Sequence, residues 1–217
     1  MNSSFTSIFG PLDPDDFVSG LFSDELDRMG LRSQVVDGWV ANRDRPRLFG
    51  RVRPMALEAV ETADERIGVG LGFLAAQRPD DVLVVAGCSD FAYFGELMTR
   101  LSQRAGMAGV VIDGLTRDTH FTKTVDLPIF ARGYTPRDIK GRGRVKHVDQ
   151  PIVVGGVAVT KDDYVFADGD AVVFIPQSAM PELVRRILKA LADEVEIKKI
   201  IAEGGSVEYI LSRFNAF

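Results

Sequence analysis

The chain has 217 residues, of which 46% are hydrophobic and 26% charged, and its formal net charge at pH 7 is -5. These proportions are typical of a compact globular protein and argue against intrinsic disorder, while the acidic balance argues against a general attraction to nucleic acid or anionic lipid. Cys88 is the only cysteine, which excludes an intrachain disulfide. Because no basic segment precedes a long apolar run at the N-terminus, and no apolar stretch approaches ~20 residues, we expect a cytoplasmic protein without a membrane span.

The first third of the chain predicts two helices. Ser23 supplies a hydroxyl cap and two acidic residues follow it, so a short helix is predicted to begin there and to end at Gly30. A second helix is predicted between Ala56 and Gln77, although three alternating glycines weaken it near its end. A dinucleotide-binding loop requires a preceding strand and the full glycine spacing, whereas a helix is predicted before these glycines, so the sequence does not favour a nucleotide site there.

The middle of the chain predicts a strand, a helix and a second strand. A polar turn followed by a continuous apolar run, in RPDDVLVVAG, is typical of a strand buried on both faces. Apolar residues recur at helical spacing in ELMTRLSQRAG, and GVVID has the pattern of another buried strand. A crossover of this kind leaves its two strands parallel.

The second half of the chain predicts short strands and then C-terminal helices. LPIFAR, PIVVGGVAVT, DYVFAD and AVVFIP are strand segments separated by turn residues. A long amphipathic helix is predicted from Ser178 to about Glu203, and SVEYILSRF predicts a short final helix. The apolar residues on or near one face of the long helix are Leu183, Ile187, Leu191, Val195 and Ile200. We therefore expect an α/β protein in which residues 1–217 form a single domain.

The predicted crossover brings distant residues to one edge of the sheet. If Gly95 lies just beyond the carboxyl end of the first strand, the helix that begins at Glu96 runs back ~15 Å over about ten residues. The strand that follows covers a similar distance in the opposite sense. Glu96 and the loop Gly114–Asp118 should therefore meet at the carboxyl edge of parallel strands, where open α/β sheets place their ligands.

The residues expected at this edge have complementary chemistry. The first backbone N–H groups of the helix can hold a carboxylate or an enolate oxygen, and a glycine lets a ligand approach closely. Arg117 offers a planar fork of donors to an oxyanion, and Asp118 offers oxygen ligands to Mg²⁺. The substrate-binding candidates are Gly95, Glu96, Leu97, Met98 and Arg117. A solvated Arg-Asp pair, and a Glu placed at a helix start for its interaction with the dipole, remain the alternative interpretations.

These residues resemble a known family, the one that joins the 4-hydroxy-4-methyl-2-oxoglutarate aldolases to the regulator-of-ribonuclease-activity proteins. Its aldolase branch carries an acidic residue, twenty intervening residues and then Arg-Asp, matched here by Glu96, Arg117 and Asp118. Other segments resemble the family in the expected order, namely FSDELDRMGL, DDVLVVAG, GELMTRLSQRAGMAGVVIDGLTRD, LPIFARGYTP, PIVVGGVAVTKDDYVFADGDAVVFIP and EIKKIIAEGG.

The resemblance implies a layered α/β sandwich with parallel and mixed β-sheet and helices at both chain ends. It also implies a homotrimer or hexamer with sites at subunit interfaces, where the C-terminal helices 178–213 are expected, and a required Mg²⁺ or Mn²⁺ ion. Asp118 would ligate the ion, while Glu96 and a C-terminal acidic residue of the adjacent subunit would hold waters bound to it. Glu196 is the candidate for that residue, and Glu194 and Glu203 are its alternatives.

The reaction that the resemblance implies is the metal-assisted cleavage of a 4-hydroxy-2-oxo diacid to pyruvate and a second keto acid. The ion would act as a Lewis acid, Arg117 and the helix amides would steady the developing negative charge, and Glu96 would help to shuttle protons. Oxaloacetate decarboxylation needs the same enolate and is the expected side activity. The alternative function is that of a non-catalytic regulator that binds a ribonuclease or an RNA helicase.

Two further features lie near the predicted site. Between Arg132 and His147 stand six Lys or Arg residues and one acidic residue, Asp138. This segment is interpreted first as a solvated loop, with the binding of distal substrate carboxylates or of an acidic partner as alternatives. His120, two residues after the Arg-Asp pair, is a candidate proton carrier. Many active family members have an acidic residue soon after Arg-Asp, whereas TRDTHFTKTVD supplies none before Asp126, which leaves the substrate and efficient aldolase activity open.

Overall fold

A computed structural model of the chain describes residues 2–61 and 67–214. The helices are α1 (Ser3–Phe9), α2 (Ser19–Arg28), α3 (Ile67–Ala75), α4 (Glu96–Arg104), α5 (Thr119–Thr122), α6 (Met180–Ala202) and α7 (Val207–Arg213). The strands are β1 (Val35–Asp37), β2 (Val40–Ala41), β3 (Leu48–Ala59), β4 (Asp81–Phe94), β5 (Gly109–Thr116), β6 (Ile129–Tyr134), β7 (Gly143–Val148), β8 (Ile152–Val154), β9 (Val157–Val159), β10 (Tyr164–Ala167) and β11 (Ala171–Ile175).

A mixed sheet of nine strands organises the described residues. Its order is β1-β11-β10-β3-β4-β5-β6-β2, and β7 pairs with the second half of β3. Strands β3, β4, β5 and β6 run parallel to one another, whereas β10 is antiparallel to both β3 and β11. The protein is therefore a mixed α/β structure with a large sheet and helices at both ends, as predicted.

The predicted strand-helix-strand crossover is present as β4, α4 and β5. β4 ends at Phe94, α4 begins at Glu96, and β5 lies parallel to β4 with Val82 opposite Gly109. The apolar runs of both strands, Val82–Val85 and Val110–Ile112, are completely buried. They are continuous because helix α4 and its neighbours cover one face of the sheet while the β8–β9 hairpin covers the other.

Three apolar clusters hold the layers together. One joins the parallel strands to side chains of α3 and α4, such as Leu74 and Met98. A second packs the other sheet face against the β8–β9 hairpin. The third places α1, α2 and α6 over β10 and β11, with Phe5 in edge-to-face contact with Phe17 at 4.7 Å and with Phe49 at 5.5 Å.

Two predictions in the first third of the chain are wrong. The segment Leu48–Ala59 is a strand, so the helix expected between Ala56 and Gln77 is confined to Ile67–Ala75, and residues 62–66 lie outside the described part. Helix α2 begins at Ser19, four residues before the expected start at Ser23. The reason is tertiary, since the Ser19 N–H donates to Asp168 Oδ2 at 2.7 Å and that carboxylate stands in for a local cap.

The C-terminal helices form where the sequence predicts them. Leu183 and Ile187 on α6 are fully buried, but Val195, expected on the same face, is 67% exposed. Beyond that point α6 packs instead against α7, in a small cluster that includes Ile197 and Ile210. Within the described part of the chain, no helix combines the length and the apolar character needed to cross a membrane.

Candidate functional site

The predicted meeting point lies at the carboxyl edge of the sheet, where β4 and β5 end side by side. The Phe94 carbonyl accepts hydrogen bonds from the Arg117 N–H at 3.0 Å and from the Thr116 hydroxyl at 2.7 Å. The Thr99 hydroxyl donates to the Gly95 carbonyl at 2.8 Å, which fixes the first turn of α4. The predicted convergence of this turn with the Arg-Asp pair is therefore confirmed.

Asp118 is held against the start of α4. Its Oδ2 atom accepts a hydrogen bond from the Glu96 N–H at 2.9 Å, and its backbone has a left-handed φ of 58°, a conformation that Asp tolerates better than most residues. One of the helix amides expected to bind substrate is thus occupied by Asp118. The amides of Leu97 and Met98 remain the predicted donors to a ligand.

Gly95 makes room for the Arg-Asp pair. A Cβ atom at this position would lie 2.3 Å from Asp118 Oδ2, closer than packing allows, and 3.0 Å from Arg117 Cγ, a tight contact. The sequence suggested that the glycine admits a ligand. In the structure the space that a side chain would take is filled by Asp118 and Arg117, so Gly95 shapes the site even before a ligand is considered.

The Arg117 guanidinium lies between two carboxylates. Its Nε is 3.6 Å from Asp118 Oδ2, and its Nη1 is 3.4 Å from Asp138 Oδ2. Asp138 belongs to the loop between β6 and β7, which is attached to β4 by the Ala92 N–H donating to the Arg137 carbonyl at 2.8 Å. Asp138 was not identified as a site residue from the sequence, because nothing local links it to a position twenty-one residues earlier.

A cavity of ≈ 430 Å³ opens beside these groups. Its lining consists of Arg117, Asp118, Thr119, His120, Tyr134, Thr135 and Pro136. Burial raises the pKa of Tyr134, so its phenol stays protonated at neutral pH and can donate a hydrogen bond. The walls thus combine a guanidinium, a carboxylate, hydroxyl groups and an imidazole, a donor set suited to a small polar acid.

The Glu96 carboxylate contacts two further residues. Arg100 binds its Oε1 atom, and His120 Nε2 lies 3.8 Å from its Oε2 atom. His120 was noted in the sequence, whereas Arg100 was not. The i, i+4 spacing between Glu96 and Arg100 on a predicted helix was the signal that could have identified it.

Glu196 lies on α6, where its Oε2 is 3.8 Å from Arg213 Nη2. The role predicted for it requires a second subunit, so this role stays a prediction.

The donor set at Asp118 is compatible with Mg²⁺ or Mn²⁺ without forming a closed metal cage. Across residues 2–61 and 67–214 there is no group of three or more His, Cys, Asp or Glu side chains that could hold a metal ion. Mg²⁺ is commonly held by one or two protein carboxylates with waters completing its coordination. The contacts that Asp118 makes with Glu96 and Arg117 both use Oδ2, so Oδ1 is the oxygen expected to bind an ion.

Three of the six cations in the basic segment from Arg132 to His147 have partners within the chain. Arg132 pairs with Asp113, Arg144 bonds to Glu58 at 2.6 Å, and Arg142 donates to a backbone carbonyl of its own loop at 3.1 Å. These three cations have separate partners on β5, on β3 and within the loop. Their arrangement favours intramolecular roles over recognition of a multiply charged ligand.

A family model described as RraA-like, Aldolase/RraA, matches residues 20–174. A Thermus thermophilus protein named 4-hydroxy-4-methyl-2-oxoglutarate aldolase is 30% identical over 135 residues, which are 61% of this chain and 78% of that protein. A Halalkalibacterium halodurans protein, provisionally named for the same activity, is 31% identical over 127 residues. That match covers 58% of this chain and 60% of the relative, so less than two thirds of the relative is spanned.

Two solved structures share most of the fold. Streptomyces coelicolor RraAS2, described as an unusual member of the RNase ES inhibitor RraA protein family, superimposes with a TM-score of 0.75 at 25% identity, over 86% of this chain and 97% of its own. A Pseudomonas syringae protein superimposes with a TM-score of 0.78 at 24% identity, over 94% of this chain and 96% of its own. The second likeness is evidence for the fold alone.

Proposed function

This chain belongs to the RraA-like family of aldolases and RraA proteins, and we propose that it is a divalent-metal-dependent aldolase that releases pyruvate. The substrate class is a 4-hydroxy-2-oxo diacid, of the 4-hydroxy-4-methyl-2-oxoglutarate or 4-carboxy-4-hydroxy-2-oxoadipate type. The observation that carries the proposal is the convergence of Gly95, Glu96, Arg117 and Asp118 beside one cavity. The aldolase names of relatives at about 30% identity support the same class of reaction.

Each residue of this site has a distinct role in the proposal. Asp118 would hold Mg²⁺ or Mn²⁺ through Oδ1, and the ion when bound supplies Lewis-acid polarisation of the substrate's keto oxygen. Arg117 binds the α-carboxylate or the developing enolate, because its guanidinium lines the cavity and is already oriented by Asp118 and Asp138. The Leu97 and Met98 N–H groups add hydrogen bonds to the same negative charge.

Glu96 is the proton-transfer group in this scheme. Its carboxylate lies at the start of α4, with Oε2 near His120 on the cavity side. Glu96 accepts the proton of the substrate's 4-hydroxyl group as the carbon–carbon bond breaks, and returns a proton to the methylene carbon of the pyruvate enolate. Oxaloacetate decarboxylation forms the same enolate, so we propose it as a side activity.

The site would be completed by a second subunit of a homotrimer or hexamer. Several apolar side chains of the C-terminal helices are exposed in the single chain, including Val195 at 67%, Ile201 at 56% and Leu211 at 53%. Apolar exposure of this extent supports packing of helices 178–213 against another copy. Glu196 lies in this region and would reach the neighbouring site, where it would hold water near the substrate.

A second candidate function is regulation of a ribonuclease or an RNA helicase without catalysis. The observation that favours it is the structural likeness to RraAS2, described as an unusual member of the RNase ES inhibitor RraA family, at 25% identity, and to a protein described as the RNA-processing inhibitor RraA, at 27% identity. A docking surface has no need of Asp118, whereas the enzyme does. The two candidates therefore predict different consequences when this carboxylate is removed.

The deciding experiment measures pyruvate release from both hydroxy-oxo diacids and from oxaloacetate, with Mg²⁺ or Mn²⁺ and again with EDTA. We expect turnover with metal only, and a loss of more than about 100-fold in Asp118→Asn because the ion loses its protein ligand. Asp162→Asn is the matched control, since Asp162 also has a left-handed backbone, with φ of 72°, and lies outside the site. Asn tolerates this conformation, so neither variant strains the fold.

If no pyruvate forms from any of the three acids with either metal, the proposed aldolase function is contradicted. A complex with a ribonuclease or helicase that survives both EDTA and Asp118→Asn would instead support the regulator.

A further inference from the structure

Arg100 on α4 contacts the Glu96 carboxylate and lies over the ring of Phe121 on α5. We propose that Arg100 is a positioning residue for Glu96, and that Phe121 is the surface on which Arg100 is held. This inference rests on the proposed function, because it assigns Arg100 a part in proton transfer by Glu96.

Two nitrogens of Arg100 contact a single oxygen of Glu96, one through a hydrogen bond and the other as an ion pair. Arg100 Nε lies 3.0 Å from Glu96 Oε1, and Arg100 Nη2 lies 2.9 Å from the same atom. An exposed ion pair at i, i+4 spacing is weak when both side chains move freely. Two donors on one acceptor restrict the rotation of both groups more than a single contact would.

Phe121 limits the movement of Arg100 further. The Arg100 Cζ atom lies 4.2 Å from the centroid of the Phe121 ring, within the range of a cation–π interaction. Phe121 belongs to the short helix α5, which begins directly after Asp118. Phe121, the surface on which Arg100 is held, therefore lies close in the chain to the Arg-Asp pair.

The second oxygen of Glu96 lies beside a residue of the cavity lining. Arg100 occupies Oε1, whereas Oε2 lies 3.8 Å from Nε2 of His120, a residue of the cavity lining. Neither Glu96 nor Arg100 is among the lining residues, but Arg100 lies on the far oxygen of Glu96 from His120 and its side chain is 58% exposed. Arg100 thus acts through Glu96 and does not contact the substrate.

The first test compares kinetics of Arg100→Met, Arg100→Lys and Arg104→Met. Arg104→Met is the matched control, because Arg104 is an exposed arginine one turn later on the same helix. For Arg100→Met we expect kcat with oxaloacetate to fall by about 10- to 100-fold while KM changes by less than about twofold, since general acid–base catalysis contributes about 10²–10⁴-fold and only part of it depends on orientation. Arg100→Lys should recover part of kcat, because Lys keeps the charge but not the two-point geometry.

Two results of this assay would overturn the inference. One is a wild-type kcat in Arg100→Met, and the other is a higher KM at unchanged kcat, which would make Arg100 a substrate-binding residue. In the Glu96→Gln background, Arg100→Met should cause little further loss, because its effect passes through Glu96. A full additional loss in the double variant would also contradict the inference.

The second test needs no activity and so separates this inference from the proposed function. The Nε–H signal of Arg100 in a ¹H–¹⁵N NMR spectrum, assigned by its disappearance in Arg100→Lys, should shift in Glu96→Gln and in Phe121→Leu but not in Arg104→Met. If the Arg100 Nε–H signal is unchanged in Glu96→Gln, Arg100 does not contact Glu96 in solution and the inference fails. If the signal responds as expected but the wild type releases no pyruvate, the contact stands, the proposed function fails and the catalytic role of Arg100 falls with it.

Discussion

Backbone conformation and side-chain position depend on each other at Gly95 and Asp118. The left-handed backbone of Asp118 directs its carboxylate to the Glu96 N–H. This position is open only because Gly95 has no side chain in the same space. Gly95 therefore controls where Asp118, the proposed metal ligand, lies.

Gly95→Ala is expected to reduce catalysis far more than stability. The new Cβ would lie 2.3 Å from Asp118 Oδ2, so the carboxylate must move, and a displacement of about 1 Å in an active site can lower the rate by about 100-fold. The φ of Gly95 is -153°, which alanine adopts without strain. Steady-state kinetics and thermal unfolding of the same sample check this prediction. Unchanged kcat/KM in a folded Gly95→Ala would show that the position of Asp118 is not critical.

Arg53 connects several elements on the opposite end of the same parallel strands. From β3, its Nε and Nη2 bond to Asp149 at 3.0 and 2.8 Å, and its Nη1 bonds to Asp81 on β4 at 3.2 Å. Lys161 in the β9–β10 turn reaches the same Asp149 carboxylate at 3.0 Å. Burial alone would raise the pKa of Asp149, but the hydrogen bonds from Arg53 and Lys161 outweigh it and hold that pKa below its ordinary value.

Asp149→Asn is expected to lower the free energy of unfolding by about 1–2 kcal/mol near neutral pH, since the lost bonds are charge-assisted but partly exposed. For a chain of this size the melting temperature should fall by about 2–8 °C. The pKa of Asp149 is lower in the folded state than its ordinary value of 3.8. The extra stability of the wild type over Asp149→Asn is therefore complete above pH 3.8 and is lost as the pH falls through the lower folded-state pKa. Thermal unfolding against pH measures this. A difference in melting temperature between wild type and Asp149→Asn that stays constant well below pH 3.8 would contradict this prediction.

At the scale of the whole molecule, the C-terminal helices remain incompletely packed in one chain. Helix α6 covers the sheet through Leu183 and Ile187, while its second half and α7 expose Val195 and other apolar side chains. The family match ends at residue 174, so Glu196 lies outside the matched region. The proposed role of Glu196 therefore depends on a direct test of whether two subunits share the site.

Coexpression of Asp118→Asn with Glu196→Gln, each carrying a different affinity tag, tests whether the site is shared between subunits. Each variant alone should be nearly inactive. If Asp118 and Glu196 meet across an interface, random mixing restores both residues in about one third of the sites of a purified trimeric hybrid and in about one quarter of the sites of a hexameric one, so the hybrids should regain that share of wild-type activity. Hybrids without activity would contradict a shared site, and an active Glu196→Gln homo-oligomer would remove Glu196 from the mechanism.

The sequence by itself determined the crossover at the centre of the fold and the convergence of its candidate site. Continuous apolar runs predict β4 and β5, helical spacing places the start of α4 at Glu96, and parallel strands end at one edge. These signals are local, and the geometry of a strand-helix-strand unit then brings Glu96 to Arg117 and Asp118. The crossover and the meeting of its three conspicuous residues were therefore predictable without a structure.

Only the tertiary structure decided which atoms pair within those elements. The strand Leu48–Ala59 lies between the strands with which it pairs and is buried along most of its length. Its sequence therefore lacks the alternation of apolar and polar residues that marks a half-buried strand. The start of α2 depends on Asp168, and the orientation of Arg117 depends on Asp138, both of which are distant along the chain. Side-chain partners of this kind are selected by packing in three dimensions, because the free energy of a hydrogen bond depends on where its donor and acceptor lie and not on their separation in sequence.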